Sequence, residues 1–337
     1  MALVQVYESH KLVPPSENPY FIAKSRFMRS GVPVQAMQLE TIEKEDGRIY
    51  TLNNLALGSY AKIGGIPWVI STRGVATHEL VIGIGATEIG TSRLSEWTRY
   101  IGFTTIFQGD GRYLVWETTR EATYEDYPEA LLKSLQKSIR FVQMQNRWEI
   151  GDDVRLIFHV YKPLKRVEIK AVKQLVEGLL KDYSVEFAFL DVSHYHPFQI
   201  FDPNQSGITY GSYGTWGSSP KKGVFVPKRG TAILLGPNMA LLQLVGVNEV
   251  KHSEQGIPRP LLFELHRDSD FSDLTYLVRQ AFHFSFMSWR SFFPSHEPVT
   301  ILYSRWIASM LGNLKAVPDW DKAALDLMRD RRAMWFL

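Results

Sequence analysis

Residues 18 to 35 read Asn18-Pro19-Tyr20-Phe21-Ile22-Ala23-Lys24-Ser25-Arg26-Phe27-Met28-Arg29-Ser30-Gly31-Val32-Pro33-Val34-Gln35. Phe21, Ile22, Phe27 and Met28 recur at loosely helical spacing and Lys24, Arg26 and Arg29 take other faces, which predicts a helix over 20–30 stopped by Gly31 and Pro33. Working outward, residues 3–7 read as a strand, 8–19 as a polar, proline-containing loop and 34–39 as a second short strand. A charged turn over 43–48 then leads to a helix over 50–63 that ends at Gly64, Gly65 and Pro67. The order strand, helix, strand, helix argues for an α/β layer.

A second unit opens near Glu79. Leu80-Val81-Ile82-Gly83-Ile84-Gly85 has the unbroken apolar character of a buried strand, and 102–108 and 113–117 flank Gly109-Asp110-Gly111 as a hairpin would. Leu131, Leu132, Leu135, Ile139 and Val142 form one apolar stripe in a helix over 127–147. A strand over 154–161, a basic helix over 167–180 and a strand over 185–191 follow, then a Gly/Ser/Tyr-rich loop over 207–219 and a hairpin over 223–235. Helices over 274–286 and 299–314 close the chain. Antiparallel strands, helix, strand, helix, strand is an RNase H-like order, and the expected boundary between the two units lies around 72–78.

Composition narrows the function. The 337 residues carry 38 Lys and Arg against 35 Asp and Glu, a net charge of +3, so nucleic-acid binding must be argued from local clusters. The complete lack of cysteine excludes a disulfide scaffold, a thiolate zinc site, an iron–sulfur cluster and a cysteine nucleophile. Neither a signal peptide nor an apolar run of about 20 residues is present, so the expectation is a cytoplasmic protein with no membrane partner.

Several motifs compete for the chemistry. Gly83, Gly85 and Gly90 follow a strand, but their spacing departs from a dinucleotide loop and a hairpin replaces the required helix. Asp191, His194, His196 and Asp202 offer metal-ligand types, yet Pro197 interrupts the strand, and polar residues at a strand end describe them as well. No Gly-x-Ser-x-Gly elbow appears. The stronger signal is basic. Lys162, Lys165, Arg166, Lys170 and Lys173 form one cluster, and Lys221, Lys222, Lys228 and Arg229 form another near Tyr210, Tyr213, Trp216 and Phe225. Positive charge interleaved with rings suits phosphate contact and base stacking.

The stretch from Asn18 to Gln35 resembles the guide-binding MID motif of Argonautes, in which a Tyr and a Lys four residues apart open a helix and a Gln follows a Gly-x-Pro turn. The segment Asn54-Leu55-Ala56-Leu57-Gly58-Ser59-Tyr60-Ala61-Lys62-Ile63-Gly64-Gly65 resembles the next landmark, a helix ending in Lys-x-Gly-Gly. Later segments keep the family's order, with 80–85 as the first PIWI strand, 156–163 as the central strand, and 256–262 and 298–311 near the end. The resemblance implies a Rossmann-like, partial MID domain over 1–75 and an RNase H-like PIWI domain over 76–337, with the C-terminal tail returning to the MID pocket. It implies that Tyr20 stacks on the first guide base, that Lys24 and Lys62 charge the 5′-phosphate pocket, and that Gln35 hydrogen-bonds there. Gly58 stands where a second helix lysine is common, which leaves room for Mg²⁺, with Gln35 and the Leu337 carboxylate as its expected ligands.

In the PIWI half, the carboxylate positions of slicing members are occupied by Gly85, by Tyr161 or Lys162, and by Arg305. An RNase H-like nuclease needs clustered carboxylates to hold two metal ions, so the expectation is no catalysis by this chain. The pattern resembles short prokaryotic Argonautes, without N or PAZ domains. That implies a guide RNA or DNA, a complementary single-stranded target DNA, a basic channel using Lys162, Lys165, Arg166, Lys221 and Lys222, and an APAZ-bearing effector of TIR or sirtuin-like type in antiviral defence. The alternatives are a guide-dependent nuclease with an atypical carboxylate set including Glu88 and Asp110, and a scaffold whose main role is to hold an effector.

Overall fold

The computed structural model describes residues 1–71, 76–89, 98–118, 121–122, 126–161, 166–209, 220–321, 323–330 and 334–337. The first unit begins with strand β1 (Ala2–Val6), helix α1 (Pro19–Arg29) and strand β2 (Val34–Gln38), and β1 pairs with β2 in parallel. Asn18 caps α1, its side chain accepting from the Tyr20 amide at 3.0 Å, and Pro19 fills the first turn. Gly31 ends the helix at φ 67°, a conformation open to glycine at little cost. A short helix α2 (Leu39–Glu43) occupies the approach to the charged segment, and α3 (Arg48–Lys62) follows.

The second unit is built on one large mixed sheet. Its strands are β3 (His78–Ile89), β4 (Thr98–Gln108), β5 (Tyr113–Thr118), the two-residue β6 (Glu121–Ala122), β7 (Asp153–Val160) and β8 (Ser184–Ser193), with helix α4 (Tyr127–Asn146) before β7 and α5 (Arg166–Leu179) before β8. A separate ladder joins β9 (Ser206–Thr209) to β10 (Lys221–Val224). Strands β11 (Ala232–Leu234), β12 (Met239–Leu242) and β13 (Leu261–Leu265) extend the large sheet, and α6 (Leu274–Phe284), α7 (Val299–Lys315) and α8 (Ala323–Asp330) complete the described elements. The path runs β11-β12-β13-β8-β7-β3-β4-β5, with β6 beside β4. Strands β3, β7 and β8 are mutually parallel and the other neighbours antiparallel, the RNase H-like order expected from the sequence.

Seven of the eight residues of β7 are buried, as a central parallel strand covered on both faces requires. One core face packs Val81, Ile157 and Leu190 against α6, α7 and the C-terminal Trp335 and Phe336, and it takes in Met28 and Ala61 from the first unit. The other packs Leu80, Phe158 and Phe189 against α4 and α5. Helix α7 crosses β3 so closely that a Cβ on Gly83 would sit 2.2 Å from the Thr300 carbonyl oxygen, so only glycine permits that contact.

One expectation fails locally. The hairpin over 223–235 does not form: β10 pairs back with β9, and β11 pairs forward with β12. Phe225, at φ 61°, turns the chain between them, its amide donating to the Gln205 carbonyl at 2.9 Å. Asp191, His194, His196 and Asp202 do not converge. His196 Nε2 lies 2.8 Å from the Pro260 carbonyl, Asp202 accepts from the Asn204 amide at 2.9 Å, and His194 faces Glu297. Among the described residues no group of three or more His, Asp and Glu is placed to hold a metal ion, and no helix is long and apolar enough to cross a membrane.

Candidate guide 5′-end pocket

A cavity of about 410 Å³ lies where α1, β2, α3, the loop before α7 and the C-terminus meet. Tyr20, Gln35, Gly58, Lys62, Arg290, Met310, Phe336 and Leu337 are among its lining residues. Helix α1 presents Tyr20 and Lys24 one turn apart on one face, since residues four apart are neighbours on a helix. Lys24 Nζ donates to Tyr20 Oη at 3.1 Å and to the Trp335 carbonyl of the tail. From the last turn of α3, Lys62 Nζ donates to the Val34 carbonyl at 2.9 Å and to Gln35 Oε1 at 2.8 Å. Tyr20, Lys24, Gln35, Lys62 and Leu337 are thus all brought to one place, four around the cavity and Lys24 immediately behind Tyr20.

The electrostatics of this cluster are unusual. Both lysines are essentially unexposed, and neither has a carboxylate partner recorded. Burial, with the Arg290 guanidinium adding to it, pulls the Lys24 ammonium down to about 7. Burial, then Lys24, then Arg290 hold Lys62 well below the ordinary lysine range. Burial pushes the Tyr20 hydroxyl up to about 12. The recorded acceptors of both Nζ atoms are neutral oxygens, so an anion brought beside them would favour their charged forms.

Arg290 is the residue that local sequence reasoning missed. It stands 270 positions from Tyr20, on the loop between α6 and α7, with its guanidinium 4.9 Å from the Trp306 ring centre. The Asn54 side chain accepts from the Phe292 amide at 3.2 Å and ties that loop to α3. An arginine within Met287-Ser288-Trp289-Arg290, otherwise uncharged, was the available signal. Gly58 faces the cavity, and a Cβ there would meet Gln35 Oε1 at 3.5 Å, an ordinary contact. The oxygen donors on hand, the Gln35 amide and the Leu337 carboxylate, are of the hard type that Mg²⁺ accepts, and with a phosphate they fit such an ion.

The positions expected to lack carboxylates also meet. Ile84 pairs with Val160, so Gly85 and Tyr161 are the next residues along adjacent parallel strands. Arg305 lies on α7, which packs on β3, and its Nη2 is paired with Glu297. Asp110 does not join them. It sits in the β4–β5 turn beside Glu79, six residues before Gly85 on β3, or about 20 Å along an extended strand. An atypical carboxylate set cannot include it; the Glu88 side chain lies outside the described residues. So do Lys162, Lys165 and the side chain of Arg166. Lys221 is exposed on β10, and Lys222 Nζ donates to the Asn248 carbonyl at 3.3 Å.

The Piwi domain family profile matches residues 14–315. The chain is 38% identical over 337 residues to the protein argonaute of Cereibacter sphaeroides (strain ATCC 17025 / ATH 2.4.3), covering 99% of this chain and 43% of that protein. It is 24% identical over 319 residues to the Piwi protein of Archaeoglobus fulgidus, covering 90% of this chain and 68% of that protein. Among solved structures it resembles Clostridium butyricum Argonaute bound to a guide DNA and a 19-mer target DNA, with TM-score 0.64 and 17% identity over 94% of this chain and 37% of that one. It also resembles A. aeolicus Argonaute, with TM-score 0.59 and 20% identity over 91% of this chain and 38% of that one. The chain therefore spans less than half the length of the first of these relatives.

Proposed function

From the premise that this chain belongs to the Argonaute–Piwi family, we propose that it anchors the 5′-phosphate of a guide strand in the cavity between α1, α3 and the C-terminus and holds a complementary target without cutting it. The observation that carries the reading is the convergence of Lys62 and Arg290 on one cavity beside the Tyr20 ring, with Lys24 behind that ring and no carboxylate partner among the described residues for any of the three. A phosphate monoester supplies the missing charge, and the ring supplies a face for the terminal base. Gln35 and the Leu337 carboxylate would hold Mg²⁺, which would supply further positive charge to the phosphate. The pocket reads an end rather than a sequence. Binding of guides that differ only in a 5′-phosphate or a 5′-hydroxyl tests it: preference for the phosphate is expected, and equal affinity refutes the pocket.

Silence in catalysis rests on Gly85, Tyr161 and Arg305, which offer a metal ion no carboxylate. Guide-dependent cleavage of a matched strand by the pure protein with Mg²⁺ or Mn²⁺ would refute it and establish the nuclease reading. In the same reading the guide is RNA, the target is single-stranded DNA, and an APAZ-bearing effector receives the signal in defence. Sequencing of the nucleic acid co-purified from cells and identification of co-purified protein test these parts, and would separate them from a pure scaffold.

A further inference from the structure

We infer that Arg305 and His194, braced on the buried Glu297, form a second phosphate site that grips one internal phosphodiester of the bound duplex. This rests on the guide-binding reading above but concerns a different place in the fold. Ligands of open α/β sheets gather in the crevice outside the carboxyl ends of the parallel strands. Tyr161 is the first residue after β7 and His194 the first after β8, so this cluster stands at that edge. Glu297 precedes α7 and is wholly unexposed. Arg305 reaches back along the helix to pair with its Oε1 through Nη2, and His194 Nε2 lies 3.4 Å from its Oε2.

A buried carboxylate fixes a guanidinium firmly, because leaving either charge unpaired is costly. Here the pairing is one-sided. The Arg305 and His194 side chains each remain 42% exposed while Glu297 is 0% exposed, so the guanidinium and the imidazole face outward and the carboxylate is hidden. Arg305 has five N–H donors, and the recorded bond to Glu297 uses Nη2 alone. The open part of the fork matches two phosphate oxygens. His296, 61% exposed and 4.0 Å from Glu297 Oε1, adds a third nitrogen base at the rim. Gly85 and Tyr161 place no carboxylate where a phosphate would be repelled. Asp191 lies with Glu264, Val160 and Phe189 around a separate cavity, on the face that packs toward α4 and α5.

A methylphosphonate linkage, which is neutral, placed at one position at a time along the guide and then along the target, tests the site in the full chain. In the wild-type protein one internal linkage is expected to weaken duplex binding by about three- to tenfold through this contact, on one strand only, which identifies the strand. In Arg305→Ala the dependence at that linkage disappears while all other linkages keep theirs. Because Arg305→Ala leaves Glu297 buried without its guanidinium partner, the double variant Arg305→Ala/Glu297→Gln serves as the folded counterpart and should give the same scan. Superimposable scans for wild type and both variants would overturn the site. Failure of the wild-type chain to prefer a 5′-phosphorylated guide is a separate result that strikes the guide pocket, and a duplex that still binds with the same scan dependence leaves this site standing.

Discussion

Lys24→Met separates the two costs built into the guide pocket. Burial, and then Arg290, bring the Lys24 ammonium down to about 7 against an ordinary 10.5. Between these values the unfolded chain holds a proton that the folded chain has released, so stability rises with pH across that window and the penalty is fully present below pH 7. At about 1.36 kcal/mol per pH unit the whole difference is about 5 kcal/mol, of which roughly half is recovered between pH 7 and 9. Methionine keeps the apolar stem and removes the titration. It also leaves Tyr20 Oη and the Trp335 carbonyl without their shared donor, a loss of about 1–3 kcal/mol each that does not vary over this range. Urea unfolding of both proteins at several pH values is the assay. The stability difference, variant minus wild type, should fall by about 2 kcal/mol from pH 7 to 9. In guide binding, wild-type preference for the 5′-phosphate should weaken as pH rises above 7, because the phosphate must then recruit a proton to Lys24, and Lys24→Met should lose about ten- to a hundredfold of that preference. A stability difference that stays flat with pH would refute the claim that Lys24 is held neutral by burial.

Arg290→Ala should reduce the 5′-phosphate preference and move its pH midpoint upward, since Arg290 depresses both Lys24 and Lys62; an unmoved midpoint in the same titration removes Arg290 from the pocket. Gly58→Lys fits the space beside Gln35 and adds a cation, so 5′-phosphorylated guide should bind about three- to tenfold tighter with the 5′-hydroxyl guide little changed. Asp191 is pushed up to about 6 by burial and then by Glu264, so its folded form loses stability as pH rises from about 3.8 through 6. Asp191→Asn should therefore stabilise the protein by about 1 kcal/mol at pH 8, after discounting for its partial exposure, and by nothing at pH 4, as thermal unfolding at the two pH values would show.

The elements around the pocket were legible because their signals are local. Asn18-Pro19 sets the start of α1, Gly31 its end and Gly64 the end of α3, and the four-residue step from Tyr20 to Lys24 fixes a shared helix face. The apolar run around Leu80 and the stripe from Leu131 to Val142 marked the sheet and one of its covering helices for the same reason. The strand pairing over 223–235 was not legible, because an αL turn at Phe225 has no periodicity to announce it. What the sequence by itself determined was most of the elements of the first unit and of the sheet from residue 78 to 191, and its resemblance grouped Tyr20, Lys24, Gln35 and Lys62. Tertiary structure alone brought Arg290 to the cavity, 266 positions from Lys24, and gave the tail expected there its hydrogen bond from Lys24 to the Trp335 carbonyl, 311 positions away. It also decided the charge state. Burial, a property of the packed fold and of no single residue, brings the Lys24 ammonium down to about 7 and holds Lys62 well below the ordinary lysine range.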